Sequence, residues 1–259
     1  MSFVLEKKYI NKISIISLLL VCLCSCSSNR ENREEYIQDS IEYTVNDPFE
    51  PFNRAMFEFD TGLNFILDPA VDIYQFILPE QGRNGVRNIF RNFRSPIYLT
   101  NSILQGNPKG TAIIIGRFII NSTFGLLGFF DVASHLGMPY QLEDFGQTLA
   151  KWGIGDGFYI YVPILGPSNL RDLSGYVLDT GLLEPISWIA RADNPFWISI
   201  GYSGTFLVDL RSNVRGTLRE LDNSSLDYYA ALRSAYLQNR KELISNGKNN
   251  YQTGEYNFD

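Results

Sequence analysis

Apolar and polar residues follow one another along this chain in blocks, and the blocks predict its organisation. An apolar run occupies 13–23, and a polar, charged stretch with almost no aliphatic residues follows at 27–46. Such a stretch buries too little apolar area to offset the entropy lost on ordering, so it predicts a flexible tether. Apolar residues then recur over 47–247 in segments broken by Gly and Pro, which predicts a single folded domain. The polar residues 248–259 predict a loose tail.

The first two apolar segments of this domain predict helices over about 52–67 and 70–78. Asp68-Pro69 separates them, because the residue before a proline is pushed out of the helical region. Pro79 ends the second segment. We therefore expect two helices with a break at Asp68.

The clearest amphipathic helix is predicted over 81–94. At about 100° per residue, four arginines share one face, and an apolar group fills the adjacent face. The arginines are Arg83, Arg87, Arg91 and Arg94, and the apolar residues are Val86, Ile89, Phe90 and Phe93. This arrangement suits an anionic lipid headgroup layer, since arginine binds phosphate through its planar fork. A solvated face over an ordinary core is the alternative interpretation.

A longer apolar stretch at 112–130 contains Arg117 and Asn121. An arginine at the centre of a lipid-exposed helix costs roughly 2.5–3.5 kcal/mol, so the stretch is a poor membrane span. We expect two shorter apolar helices joined by a turn. Glycine tolerates tight turns and close approach, and the candidate turn or hinge glycines are Gly116, Gly125, Gly128, Gly153 and Gly155.

The last helix is predicted over about 225–245. The capping-box pattern Ser224-Ser225-Leu226-Asp227 marks its start, and Asn246-Gly247 marks its end. No stretch shows a convincing multi-strand β pattern. The pattern as a whole predicts a mainly α fold.

The tetrapeptide Leu23-Cys24-Ser25-Cys26, directly behind the first apolar run, is typical of a lipoprotein signal peptide. Basic residues precede the run, which is shorter than the ~20 apolar residues of a membrane span. Ser25 is the small residue that a signal peptidase needs before the cut, so 1–25 is predicted to be removed and Cys26 to be acylated. An uncleaved anchor helix is the alternative.

The charge balance excludes one class of function. The whole chain has a formal net charge of −6, from 22 basic and 28 acidic residues. Residues 1–25 hold three lysines and one glutamate, so their removal leaves 19 basic and 27 acidic residues, or about −8. A nucleic-acid binder needs a basic surface to displace phosphate counterions, and this balance argues against one. Cys26 would be the one cysteine left, so no disulfide within the chain is expected.

Little in the sequence points to catalysis or to a cofactor. A single histidine, His135, predicts no zinc site, and no Gly-x-Ser-x-Gly elbow is present. The glycines at 153–157 lack the spacing and the lysine of a phosphate-binding loop. We expect no enzyme activity, no metal and no cofactor. A hydrolase that uses His135 and Asp131 is the alternative.

Seven segments, taken together in this order, resemble the MlaA (VacJ) lipoprotein family. They are DPFEPFNR at 47–54, GRNGVRN at 82–88, LQG at 104–106, RFIIN at 117–121, GFFDVA at 128–133, DFGQTL at 144–149 and GIG at 153–155. The resemblance covers nearly the whole chain after the predicted signal peptide and is weakest over 194–221. Ser27, which follows the predicted acylated cysteine, also resembles a known rule for sorting lipoproteins to the outer membrane.

The resemblance implies a fold and a function. Members of the family are largely helical rings that lie in the inner leaflet of the outer membrane and enclose an amphipathic channel. They remove mislocalised phospholipid from the outer leaflet and pass it to a soluble periplasmic carrier of the MlaC type, which maintains outer-membrane lipid asymmetry. Porin trimers are implied as partners. A structural or adaptor lipoprotein that binds another envelope protein is the alternative.

The residues expected to contact phospholipid are chosen from the interrupted and amphipathic helices. Three come from the arginine face at 81–94, namely Arg83, Arg87 and Arg91. Two come from the interrupted apolar stretch, namely Arg117 and Asn121. A polar channel wall continuous with apolar surface would remove the main barrier to lipid passage, which is the transfer of a phosphate through hydrocarbon.

Overall fold

The computed structural model describes residues 46–193 and 196–246. The predicted signal peptide, Ser25, Cys26, nearly all of the tether and the tail at 248–259 lie outside these residues. The described part of the chain contains ten α-helices, one π-helical turn and one two-stranded sheet. The predicted mainly α fold is therefore confirmed.

The elements follow one another with short connections. The helices are α1 (Glu50–Ile77), α2 (Glu80–Phe93), α3 (Ser95–Leu104), α4 (Pro108–Thr123), α5 (Val132–His135), α6 (Phe145–Lys151), α7 (Leu170–Leu178), α8 (Pro185–Asp193), α9 (Phe196–Ser224) and α10 (Tyr228–Ser245). The strands are β1 (Tyr159–Val162) and β2 (Gly166–Asn169), and the π-helical turn is Asp179–Leu183.

Helix α1 continues through Pro69, so the predicted break at Asp68 is wrong. Tertiary contacts outweigh the local preference of the residue before proline. Arg215 of α9 forms ion pairs on both sides of the proline, with Asp68 at 3.5 Å and with Asp72. These contacts hold the two halves of α1 against α9.

Helix α2 is close to the predicted 81–94, but the stretch at 112–130 differs from the prediction. One helix, α4, ends at Thr123, and the predicted second apolar helix is absent. The next residues form tight turns in which Leu126, Leu127 and Gly128 have φ values of 49°, 58° and 97°. These left-handed conformations cannot continue a right-handed helix.

The C-terminal helix begins three residues later than predicted. Asp227, not Ser224 or Ser225, caps α10, because its side chain accepts the Ala230 N–H at 3.0 Å. Asn246 ends the helix in the left-handed conformation, with φ at 53°.

The small antiparallel sheet was not predicted. Tyr159 pairs with Asn169, and Val162 pairs with Gly166. The alternation in Tyr159–Val162 suits a strand with one buried face, and both tyrosines in it are buried. Asn53 of α1 joins the sheet by donating to the Tyr159 carbonyl at 3.1 Å and accepting the Tyr161 N–H at 3.0 Å.

Two groups of buried residues form the core. One group is Ile97, Tyr98 and Ile114, where α3 meets α4. The other is Tyr159, Tyr161 and Tyr229, where β1 meets α10. This second group holds the N-terminal part of the described chain close to the C-terminal part.

Polar contacts strengthen this closure between the N-terminal and C-terminal segments. Asp47 accepts hydrogen bonds from the Tyr229 hydroxyl and from Arg233, both at 2.6 Å. Arg54 forms a bidentate pair with Asp227. Residues about 180 positions apart are thus joined directly.

Large apolar side chains are exposed on several helices. Phe65 and Phe76 of α1 are 87% and 90% exposed, and Trp197 of α9 is 79% exposed. The loop after α4 adds Phe124 and Leu127 at 77% and 75%. Within the described residues, however, no helix combines the length and hydropathy needed to cross a membrane.

Candidate functional site

A cavity of about 650 Å³, here called the large cavity, lies between α3, α7, the π-helical turn, α9 and α10. Ligand-binding cavities range over roughly 300–1,000 Å³, so the large cavity has room for a small organic group. Its apolar lining includes Ile97, Leu173, Ile186, Leu207 and Leu210. Charged and hydroxylated side chains form the rest of the wall, which makes the cavity amphipathic.

Arg94 brings a positive charge to this wall from the junction of α2 and α3. Its Nε lies 3.3 Å from Oε2 of Glu184, and both side chains are largely buried. Tyr202 of α9 donates its hydroxyl to Oε1 of Glu184 at 2.7 Å. The guanidinium also lies 5.1 Å from the ring centroid of Phe206, within cation–π range. Glu184 is held here because the π-helical turn ends immediately before it.

A second polar group surrounds Asp179, the first residue of the π-helical turn. One carboxylate oxygen accepts the Asn101 side chain at 2.9 Å, and the other accepts the Phe145 N–H at 2.8 Å. Thr148 in turn donates to Asn101 at 2.9 Å. The hydrogen-bond donors to Asp179 in the described chain are both neutral, and burial raises the pKa of its carboxyl to about 6, although the charge of Arg94 opposes this shift.

Arg240 of α10 forms the opposite part of the wall. It donates to both oxygens of Asp144 at 2.6 and 3.0 Å, and to Asp172 at 2.9 Å. Asp172 also accepts the Tyr236 hydroxyl at 2.6 Å. One guanidinium thereby compensates two carboxylates and ties α10 to α6 and α7.

Glu143 is the fifth carboxylate on the wall. Only 2% of the residue is exposed, and Gln105 donates to it at 2.9 Å. Burial raises the pKa of this carboxyl above its ordinary value. Lys151 attracts it weakly, but the two residues form no ion pair in the described structure.

The three predicted arginines of α2 lie outside the large cavity. Arg83 donates to the Leu78 carbonyl at 2.8 Å, which stabilises the junction of α1 and α2. Arg87 pairs with Asp209 of α9 at 3.3 Å. Arg91 lies over the ring of Tyr140, 4.5 Å from its centroid. The arginine of the predicted 81–94 face that reaches the large cavity is Arg94, directly after α2, and it was not among the predicted lipid contacts.

Arg117 and Asn121, both predicted from the interrupted helix, meet each other at Asp131. Arg117 donates to the two oxygens of Asp131 at 2.9 and 2.8 Å, and Asn121 donates at 3.0 Å. Ser134 donates to the same carboxylate at 2.6 Å. Burial alone would raise the pKa of Asp131. Hydrogen bonds from Ser134, Arg117 and Asn121 outweigh this effect and lower the pKa to about 2. We call these four residues the Arg117 cluster.

The Arg117 cluster borders a much smaller cavity of about 20 Å³, which Arg91 and Tyr140 also line. A water molecule needs roughly 10–15 Å³ on this scale, so the small cavity has room for one water and none for a lipid headgroup. Tyr98 lines both cavities and separates them. The contact of Arg117 and Asn121 with phospholipid stays a prediction.

The predicted glycines occupy different settings. Gly125 and Gly128 lie in the turns after α4, and a side chain on Gly128 would lie 2.5 Å from Asn92. Gly153 follows α6 with φ at 91°, and Gly155 lies in the next loop. Gly116, in contrast, lies inside α4 and makes no turn. A Cβ there would meet the Met138 sulfur at 3.2 Å, so close packing explains this glycine better than a hinge does.

The sequence held only a weak signal for the residues of the large cavity. Arg94 shared the predicted arginine face of α2, and the DFGQTL segment contains Asp144. Glu184, Asp179 and Arg240 lie in segments whose packing partners the sequence does not reveal. The described residues contain no group of three or more His, Cys, Asp or Glu side chains that could hold a metal ion.

The chain matches a family model over most of its length. The model, described as MlaA lipoprotein, matches residues 45–243. An uncharacterized protein of Rickettsia bellii is 32% identical over 248 residues, which cover 91% of this chain and 94% of the relative.

Several curated relatives carry a functional name. The intermembrane phospholipid transport system lipoprotein MlaA of Haemophilus influenzae is 30% identical, and the match covers 91% of this chain and 92% of the relative. The protein of that name from Escherichia coli is also 30% identical, over 91% of this chain and 89% of the relative. Both are named as transport lipoproteins and not as enzymes.

A solved structure from work on the maintenance of bacterial outer membrane lipid asymmetry has a similar fold. It matches with a TM-score of 0.65 and 31% sequence identity, over 76% of this chain and 98% of that chain.

Proposed function

Because this chain belongs to the MlaA lipoprotein family, we propose that it takes part in phospholipid transport between membranes and in maintaining outer-membrane lipid asymmetry. The curated relatives named for this transport match the chain over nearly its whole length. The solved structure with the similar fold comes from work on the same process. The protein acts as a lipid-anchored outer-membrane lipoprotein, and it acts without a catalytic step.

The observation that carries the mechanism is the amphipathic large cavity. Its apolar lining accommodates acyl chains, while Arg94 offers a charged partner to a headgroup phosphate. Moving a phosphate through hydrocarbon is the main barrier to lipid transfer between leaflets. A cavity that solvates the headgroup and the tails at the same time lowers this barrier, so the large cavity forms part of a phospholipid passage.

The exposed apolar side chains favour a location within one leaflet. Phe65, Phe76 and Trp197 are each more than three-quarters exposed, which is unfavourable in water when such residues are numerous. Since none of the described helices is long and apolar enough to cross a bilayer, these residues embed the protein partway, in the leaflet that faces the periplasm. Acylation of Cys26 would add a second attachment.

We further propose that the lipid leaves toward a soluble periplasmic carrier of the MlaC type, and that porin trimers hold the protein in the membrane. Both partners come from the family resemblance. The net direction of transport would be set by the carrier, because a passive passage lowers a barrier in both directions. None of Arg83, Arg87 and Arg91 lines the large cavity, so the predicted headgroup contacts of these three arginines stay a prediction.

The experiment that tests the proposal measures outer-leaflet phospholipid in a deletion strain. We expect the deletion to raise it and the restored gene to lower it again. The variant L207W, which narrows the large cavity, should fail to restore the normal level. The matched variant T217W places the same side chain on an exposed position of the same helix, and it should restore that level.

Two outcomes would contradict the proposal. An unchanged phospholipid level in the deletion strain would favour the adaptor alternative. Full function of L207W, with the protein present at the normal amount, would exclude the large cavity as the passage.

A further inference from the structure

The charges on the wall of the large cavity are unequal in number. Five carboxylates face two guanidinium groups. The acidic residues are Glu143, Asp144, Asp172, Asp179 and Glu184, and the basic residues are Arg94 and Arg240. A surplus of carboxylates repels an anionic ligand and attracts a cationic group.

The pairing of these groups shows where the surplus lies. Arg240 pairs with Asp144 and Asp172, Asp172 also pairs with Arg171 from outside the wall, and Arg94 pairs with Glu184. Glu143 and Asp179 are hydrogen-bonded only by neutral donors of the described chain. Burial raises the pKa values of both carboxyls, as it does where cations are too few to compensate buried acids.

We propose that the large cavity selects phospholipids whose headgroup carries a primary ammonium beside its phosphate, the phosphatidylethanolamine class, over anionic phospholipids. This inference rests on the proposed transport of phospholipid through the cavity. The headgroup phosphate pairs with the guanidinium of Arg94, and the ammonium pairs with the carboxylate of Glu184.

The Arg94–Glu184 pair matches such a headgroup charge for charge. When a zwitterionic headgroup enters between the two side chains, each protein charge exchanges one partner for another, and none is left unpaired. An anionic headgroup would engage Arg94 and leave Glu184 without a counter-charge. An uncompensated buried charge is costly, so this difference produces selection.

Tyr202 fixes the orientation of the proposed ammonium site. Its hydroxyl donates a hydrogen bond to Oε1 of Glu184, and Oε2 is directed toward Arg94. A primary ammonium has three N–H donors and can hydrogen-bond Oε2. The quaternary ammonium of phosphatidylcholine has no N–H donor. The cavity therefore favours phosphatidylethanolamine over phosphatidylcholine as well.

The test measures which lipids the full-length protein binds. The purified lipoprotein in detergent is incubated with equal amounts of phosphatidylethanolamine, phosphatidylcholine and phosphatidylglycerol of identical acyl chains, and the bound lipids are counted by native mass spectrometry. We expect phosphatidylethanolamine to be enriched about fivefold over phosphatidylglycerol, a preference of about 1 kcal/mol. Phosphatidylcholine should lie between them.

A pair of matched variants locates the selection. E184Q removes the proposed ammonium partner and should bring the enrichment close to one. E220Q removes the same charge from an exposed position of α9 outside the large cavity, and it should bind like the wild type. If E184Q does not fold, the wild-type protein is compared across ethanolamine headgroups with zero to three N-methyl groups, and binding should fall as N–H donors are lost.

The outcomes separate this inference from the proposed function. Equal binding of the three lipids, or enrichment of phosphatidylglycerol, overturns the headgroup selection and leaves phospholipid transport intact. Enrichment that E184Q retains overturns the assignment to Glu184. If the wild type binds no phospholipid at all, the proposed function fails, and the inference fails with it.

Discussion

The Arg117 cluster and the large cavity lie on opposite sides of Tyr98 and stabilise buried carboxylates in opposite ways. In the Arg117 cluster one carboxylate receives Arg117, Asn121 and Ser134, and its pKa falls to about 2. In the large cavity, Asp179 has only neutral donors, and its pKa rises to about 6. The first carboxylate has an ion-pair partner beside room for one water, whereas the second has only neutral hydrogen-bond donors beside a large cavity.

This difference separates polar residues that hold the fold from those available to a ligand. Both sites contain an arginine in an apolar surrounding, and both arginines were visible in the sequence. The ion pair of the Arg117 cluster lies beside a cavity of only 20 Å³, and it stabilises a loop. The large cavity, in contrast, has a volume of 650 Å³ and unequal numbers of acidic and basic groups on its wall, which suits a charged ligand.

The largest loss of stability is expected for R240M. Arg240 is 12% exposed and pairs with both Asp144 and Asp172, so its loss leaves Asp144 without a cation and leaves Asp172 with Arg171 alone. Breaking a buried pair costs roughly 3–5 kcal/mol, and we expect about 4 kcal/mol less free energy of unfolding. Chemical denaturation of the purified protein measures it. A loss below about 1 kcal/mol would mean that the wall needs no ion pair.

The next largest loss is expected for D131N in the Arg117 cluster. The variant leaves Arg117, which is 10% exposed, without its charged partner. We expect about 3 kcal/mol less free energy of unfolding. D72N is the control, because Asp72 is 63% exposed and surface pairs contribute roughly 0–1 kcal/mol. Equal losses in the two variants would show that the Arg117 cluster is no tighter than a surface pair.

A smaller effect is expected for the pH dependence of stability. The contributions of Asp179 and Asp131 to the free energy of unfolding should change with pH in opposite directions. The folded pKa of Asp179 is raised from 3.8 to about 6, so its contribution to stability is fully present below pH 3.8 and is lost as the pH rises through 6. We expect this loss to be at most about 3 kcal/mol. The folded pKa of Asp131 is lowered from 3.8 to about 2, so its contribution is present above pH 3.8 and is lost as the pH falls toward 2.

The measurement is the difference in unfolding free energy between wild type and each variant as a function of pH. Wild type minus D179N should fall between pH 4 and 7, whereas wild type minus D131N should rise between pH 2 and 4. D179N also changes a hydrogen bond, but that adds an offset that does not depend on pH. A flat profile for D179N would contradict the raised pKa of Asp179.

The smallest effect is expected for Y140F, at the boundary between the two sites. The ring of Tyr140 lies edge-on to Tyr98 at 5.8 Å and beneath Arg91 at 4.5 Å. Phenylalanine keeps both ring contacts and loses only the hydroxyl, so we expect a change below about 1 kcal/mol in unfolding free energy. Lipid binding should not change. A large loss of lipid binding would show that the small cavity belongs to the passage.

The sequence predicted local features of this fold better than long-range ones. Helix α2 was predicted closely because its apolar and charged positions repeat at helical spacing. The break expected at Pro69 is wrong: α1 continues through it and lies against α9, whose Arg215, almost 150 positions later, pairs with Asp68 and Asp72. Tyr159–Val162 was missed because its partner strand, Gly166–Asn169, lacks the residues that favour strands.

For the candidate site, too, the sequence predicted local features better than long-range contacts. Arginine spacing indicated a charged face on α2, but it could not tell which arginine would enter a cavity. Arg94 enters because the chain changes direction there, between α2 and α3. Its partner Glu184 is contributed by a π-helical turn, which has no recognised pattern in the sequence. Charge complementarity between such distant segments appears only once the chain is folded.

The contacts of Asp47 with Tyr229 and Arg233 have a consequence for the order of folding. They close a loop of more than 180 residues, and α10 also supplies Arg240 to the wall of the large cavity. Loop closure costs entropy that only the finished contacts repay. The cavity is therefore completed late, after the last helix has been synthesised and has docked. A nascent chain stopped before residue 228 would contain α1 to α9 without the helix that seals them.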